Sequence, residues 1–196
     1  MKAPVWLRPL LTPLRYLRIR HSAKWAYDFW VPLGLAVGLT VPAIFLPVNI
    51  FADKGFCYYI LDLVKLLTGF YIASLGVVAN LHREGLDLVM EGEHPPTLDN
   101  VKITRRQFLT ALFGYLAFLS FVIYAVGTSA IIGTPVVRGL VPVALHPWMR
   151  GVFLMGFCLM VANLFISTVV GLHYMSHKVH VEEDAKRNAG KPEQGM

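Results

Sequence analysis

Charge is scarce in this sequence. Only 15% of its 196 residues are Asp, Glu, Lys or Arg, while 56% are hydrophobic. A typical soluble domain carries about 25% charged residues. So apolar a chain is neither disordered nor a soluble coiled coil. Cysteine is nearly absent. Cys57 and Cys158 are the only two, too few for a secreted disulfide framework, and they form no CxxC pair for a metal. Catalytic signatures are missing as well: there is no nucleophile elbow, Walker loop, dinucleotide fingerprint, H-E-x-x-H or catalytic Cys/His arrangement. The expectation is a protein that is not an enzyme and holds no cofactor. Nor is there an aromatic-interleaved basic groove of the kind that binds single-stranded nucleic acid.

What the chain does have is apolar length. A bilayer core of about 30 Å needs roughly 20 mostly apolar residues per helix. Four stretches qualify, at about 29–51, 56–81, 108–132 and 148–173. Backbone polar groups must be satisfied internally in lipid, so each stretch reads as a helix. The expected fold is all-α: a polytopic four-transmembrane-helix bundle over 29–177. A basic segment, 1–28, precedes it, a hairpin at 82–107 interrupts it, and a charged tail, 178–196, follows. No internal repeat is evident.

The cations are sorted along this pattern. Fourteen of the 18 Lys and Arg residues fall in 1–28, 82–107 and the tail, three (Lys54, Arg138 and Arg150) in the other two connections, and Lys65 inside a span. The positive-inside rule then predicts both termini and the 82–107 hairpin in the cytoplasm. An even number of spans independently requires the termini to share a side. The first apolar run ends at Phe51-Ala52-Asp53 with no A-x-A site, so it reads as an uncleaved anchor. Residues 1–28 alternate apolar and basic side chains, and Thr12-Pro13 is a good helix start. The pattern predicts a short amphipathic helix from about residue 13 on the inner membrane surface. Arg15, Arg18, Arg20 and Lys24 would contact anionic headgroups there. The predicted location is an integral membrane protein of a bacterial inner membrane.

Within the spans, small and polar residues mark the faces expected to pack. Gly34 and Gly38 form a G-x-x-x-G, with Pro42 on the same face. Gly69, Ala73 and Gly76 form a second small stripe, and Asn163, Ser167 and Gly171 a third. Small residues let helix backbones approach closely in lipid, so these faces predict helix packing and a homo-oligomer. Asp62 and Lys65 are the most informative pair. Three residues apart, they are neighbours on one helical face, and Lys65 lies only about 5 Å from the middle of its span. An intramembrane charge is costly and is expected to face protein rather than lipid, as a self-neutralising pair inside the bundle or as an ion, proton or gating element.

The 82–107 hairpin and the tail are the sizeable water-exposed pieces. Thr104-Arg105-Arg106-Gln107 fits a capping box opening the third span. Glu91, Glu93, His94 and Asp99 are the candidate contacts for a cytoplasmic protein partner. The 133–147 connection carries one charge, Arg138, and is expected to be irregular chain at the interface or dipping into the bundle. His173, His177 and His180 at i, i+4, i+7 are weak metal candidates. Imidazoles near a helix C-terminus also suit the helix dipole, and no metal is expected.

In size, span number, cytoplasmic termini and short loops, this layout resembles colicin-type immunity proteins and the membrane subunits of bacterial phage-defence or superinfection-exclusion systems. The likeness implies a non-enzymatic membrane subunit that senses or transmits a membrane event to a cytoplasmic partner. The alternative is an oligomeric channel or transporter with Asp62 and Lys65 in its path.

Overall fold

A computed structural model describes residues 12–19, 26–45, 49–51, 54–80, 84–89, 97–98 and 101–189. It is mostly helical. Four segments are long and apolar enough to cross a membrane: Asp28–Phe45, Phe56–Asn80, Arg105–Leu140 and Val143–His173. The long helices are named α1 (Val31–Phe45), α2 (Phe56–Asn80), α3 (Arg105–Leu140) and α4 (His146–Ala189). A π-helical turn, Ala26–Trp30, leads into α1.

The helices pack as a row. α2 lies on α3, α3 on α4 and α4 on α1, while α1 and α2 make no extensive contact with each other. α3 and α4 therefore carry the core, with Leu112, Phe113, Leu116, Leu154, Phe157 and Leu164 almost fully buried between them and their neighbours. Two glycines set how closely the row can close. A Cβ on Gly127 would lie 2.7 Å from Leu61 Cδ2 on α2 and 3.0 Å from Phe157 Cε2 on α4. A Cβ on Gly171 of α4 would lie 2.9 Å from Leu112 Cδ2 on α3.

α3 opens as the sequence predicts. Gln107 N–H donates to Thr104 Oγ1 at 3.3 Å and Thr104 N–H to Gln107 Oε1 at 3.2 Å, so both halves of the capping box are made. Its far end differs from expectation. The third span is expected to end near residue 132, yet α3 continues through Pro135 to Leu140 and is 36 residues long in all. Pro135 offers no N–H to the carbonyl four residues back. Next to it, Thr134 Oγ1 donates to Ala130 O at 2.6 Å. Membrane helices tolerate proline where nearby hydroxyls and neighbours help satisfy the backbone. The irregular connection expected at 133–147 shrinks to an extended Val141, Pro142 and a 3-10 turn, Val143–Leu145.

The amphipathic helix expected from residue 13 takes a different form. Thr12–Arg18 is a 3-10 helix, and one side of it is buried against the bundle. Tyr16 and Ile19 are each only 3% exposed. The Tyr16 ring stacks on Tyr115 of α3 at a centroid distance of 5.1 Å and tilts against Phe108 at 6.2 Å. Arg15, Leu17 and Arg18 point outward. An aromatic side chain carries a large apolar area, and α3 offers it a covered seat.

The α2–α3 connection is clamped by one side chain. Arg106 donates from Nε and Nη2 to the two carboxylate oxygens of Asp87 at 2.8 and 2.9 Å, and from Nη1 to the Ala79 carbonyl at 3.4 Å. Asp87 closes the single helical turn Glu84–Asp87. A short hairpin, Thr97–Leu98 with Val101–Lys102, follows it. A cation at the last carbonyls of α2 also suits that helix's dipole. Asp87 is largely exposed, so water weakens the pair. Arg106→Ala is expected to cost the end of α2 about 1 kcal/mol, a rise of roughly fivefold in local opening. Amide hydrogen exchange of the last turn of α2 would show it, with exchange at mid-helix unchanged.

Candidate functional site

The ion pair anticipated within the second span is formed. Lys65 Nζ donates to Asp62 Oδ1 at 3.1 Å. Its place is the surprise. Leu61 and Val64 turn the inner face of α2 onto the bundle and are buried, which swings Asp62 and Lys65 outward. Their side chains are 58% and 53% exposed. The expectation that this pair faces the interior of the bundle is thus corrected: within one chain it lies on the outer surface. The cause is helical phase, since the apolar residues that dock α2 lie on the opposite side. The neighbouring helix gives partial cover, with Lys65 Nζ 5.8 Å from the centroid of the Tyr124 ring on α3. A cation over a ring face is attracted by its quadrupole.

The three small-residue faces divide in the same way. Gly69, Ala73 and Gly76 are exposed on α2, and Gly34 and Gly38 are exposed on α1. A Cβ at any of these four glycines would meet nothing within 4 Å. Among the described residues, neither stripe packs against another helix. Asn163, Ser167 and Gly171 point inward instead. Ser167 is buried, and Gly171 is the close seat for Leu112.

Asn163 ties a polar knot that the sequence did not reveal. Its Oδ1 accepts from Tyr115 Oη at 2.7 Å, and its Nδ2 donates to the Asp28 carbonyl at 2.9 Å. Tyr16 Oη donates to Asp28 Oδ1 at 3.4 Å. One amide therefore joins α4, α3 and the entry to α1, and through Asp28 the 12–19 segment. Tyr71 of α2 and Thr168 of α4 share a hydrogen bond of 2.6 Å. The signals available were the spacing of Asn163 with Ser167 and Gly171, and the presence of Tyr71 and Tyr115 within spans, away from the interfacial belts where tyrosine is enriched.

Arg15 and Arg18 lie exposed on the 3-10 helix. Arg20, Lys24, Glu91, Glu93, His94 and Asp99 lie outside the described residues. His173 is exposed on α4, whereas the side chains of His177 and His180 fall outside the described set. Among the described residues, no three His, Cys, Asp or Glu side chains come together as a metal site. At the other end of the bundle, Arg150 Nη2 donates to the Ala43 carbonyl at 3.3 Å, tying the start of α4 to the end of α1. Compared with known proteins, the chain matches no family model, no curated protein and no solved structure.

Proposed function

We propose that this chain is a non-enzymatic integral membrane subunit that assembles laterally in the bilayer and transmits a membrane event to a cytoplasmic partner. The observation that carries this reading is the outward Asp62–Lys65 pair. A helical span does not hold two charged side chains against lipid without cover, and such residues mark contacts or pathways. On the described surface the pair adjoins a stripe of small residues, a form suited to another helix. The cations support an orientation: Arg106 clamps one end of the bundle and Arg150 the other, and the fourteen-to-three imbalance favours the Arg106 end, with both termini, on the cytoplasmic side. The 12–19 segment then sits at the inner interface with Arg15 and Arg18 toward headgroups. The 82–107 hairpin and the tail face the partner. A bacterial inner membrane and a defence, immunity or exclusion system are the setting this layout fits.

Ion flux separates this reading from a channel. The purified chain is reconstituted in vesicles of phosphatidylcholine and phosphatidylglycerol, and proton and potassium permeability are measured. The subunit reading expects permeability equal to that of protein-free vesicles. A leak abolished by Lys65→Leu with Asp62→Leu, in a chain that still inserts, would establish the channel instead.

A further inference from the structure

We propose that two copies of this chain pair through the outward face of α2, about a twofold axis along the membrane normal. Asp62 of each copy then meets Lys65 of the other. The proposal rests on the reading that α2 crosses the membrane as part of a laterally assembling subunit.

The charges carry the argument. Copies inserted in the same orientation present α2 in parallel, and a twofold contact juxtaposes each surface with itself. That operation preserves depth, so Asp62 on the seam faces its own copy, and the two Lys65 ammoniums that flank the seam neutralise the two carboxylates. Each carboxylate gains a second ammonium and each ammonium a second carboxylate, giving a neutral cluster of four in place of two outward pairs. A different protein would need its own matching acid and base at the same depth.

The rest of the face has the spacing that a parallel pair needs. Asp62, Leu66, Gly69, Ala73, Gly76 and Asn80 are separated alternately by four and three residues, and all six are exposed. That alternation keeps one seam facing a partner in a left-handed pair crossing at about 20°. Past the charged pair the seam is Gly69, Ala73 and Gly76, where no other described helix comes within 4 Å of a Cβ built on either glycine and two backbones can come close. Lys65 flanks the seam one position before Leu66, where a long side chain reaches across to the facing helix. Asn163, Ser167 and Gly171, an alternative oligomer face by sequence, are occupied within the chain.

The test is disulfide capture on the full chain in phosphatidylcholine–phosphatidylglycerol vesicles. Cysteine replaces Gly69, Ala73 or Gly76 on the seam, or Leu63 or Phe70 on another exposed side of α2. The native Cys57 and Cys158 are buried, and the unsubstituted chain is the blank. The expected result is a covalent dimer at each seam position, at least tenfold more abundant than at Leu63 or Phe70. In the Ala73→Cys background, Lys65→Asp should lower capture at least tenfold, and adding Asp62→Lys should restore it to within twofold. If the charge variants fail to insert, the positional scan still decides. Equal capture on both sides of α2, capture only from cysteines placed at Gly34 or Gly38, or no dimer at any position would overturn the pairing. Loss of the dimer with vesicles still impermeable overturns the twofold contact alone, whereas ion flux overturns the subunit reading whether or not the chains pair.

Discussion

Gly127→Leu is expected to prevent α2 and α4 from closing on α3. The position is where three helices converge, with Leu61 and Phe157 approaching from opposite neighbours. An alanine methyl would press on the far ends of those two side chains, which can give a little, and a loss of about 1 kcal/mol is expected. Leucine adds three further carbons where both neighbours are already buried. No rotamer shift at Leu61 absorbs that volume without opening the α2–α3 seam, so the loss should reach about 3 kcal/mol. Gly133, on the same helix, has nothing within 4 Å of a built Cβ, and Gly133→Ala should stay within about 0.5 kcal/mol of the parent. Unfolding by sodium dodecyl sulfate in mixed micelles, followed by circular dichroism, measures all three. Equal midpoints for Gly127→Leu and the parent would refute this account of the packing.

Asn163→Leu has the second largest expected effect. The substitution keeps the apolar bulk but takes the acceptor from Tyr115 Oη and the donor from the Asp28 carbonyl. Interhelical hydrogen bonds in membranes contribute only about 0.6 kcal/mol on average, yet a buried polar group deprived of its partner costs about 1–3 kcal/mol. Two groups are affected, and about 2 kcal/mol is expected. The damage should also be local. Tyr16 reaches the bundle through its stack on Tyr115 and its bond to Asp28, so the 12–19 segment loosens when the knot is cut. Tryptic cleavage after Arg15 or Arg18 should accelerate roughly 5–30-fold, the ratio that 1–2 kcal/mol represents. Tyr115→Phe removes one hydroxyl and should give a smaller increase. Unchanged cleavage in Asn163→Leu would mean that the segment is held by its apolar contacts alone.

These two residues show where sequence stops informing. The spans were legible because hydropathy and length are properties of a segment, and the Thr104–Gln107 capping box because its partners are three residues apart. Gly127 belongs to no glycine motif, whereas Gly34 and Gly38 form one and touch nothing in the chain. Spacing alone does not say which side of a helix meets a neighbour. The pairing of Asp62 with Lys65 was likewise local and readable, but its outward direction depended on which residues of α2 dock on α3. Asn163 was recognisable as an inward polar residue by its spacing with Ser167 and Gly171. Its partners, Tyr115 and Asp28, lie 48 and 135 residues away in sequence. The end of α3 lies beyond the expected residue 132 because hydropathy marks the apolar length of a span, while the helix itself runs on through Pro135 to Leu140.

The row order of the helices has a consequence for biogenesis. α1 and α2 leave the ribosome first, yet each leans on a helix synthesised later, α1 on α4 and α2 on α3. At about 5–20 residues per second, roughly 3–12 s separate completion of Asn80 from completion of Leu140. Throughout that interval the two early spans are in the bilayer without their eventual neighbours, and the Asp62–Lys65 pair is without its Tyr124 roof. Vectorial folding from the N-terminus is therefore closed to this topology. The α2–α3 contact becomes available before the α4–α1 contact, so the first span made waits longest for its seat.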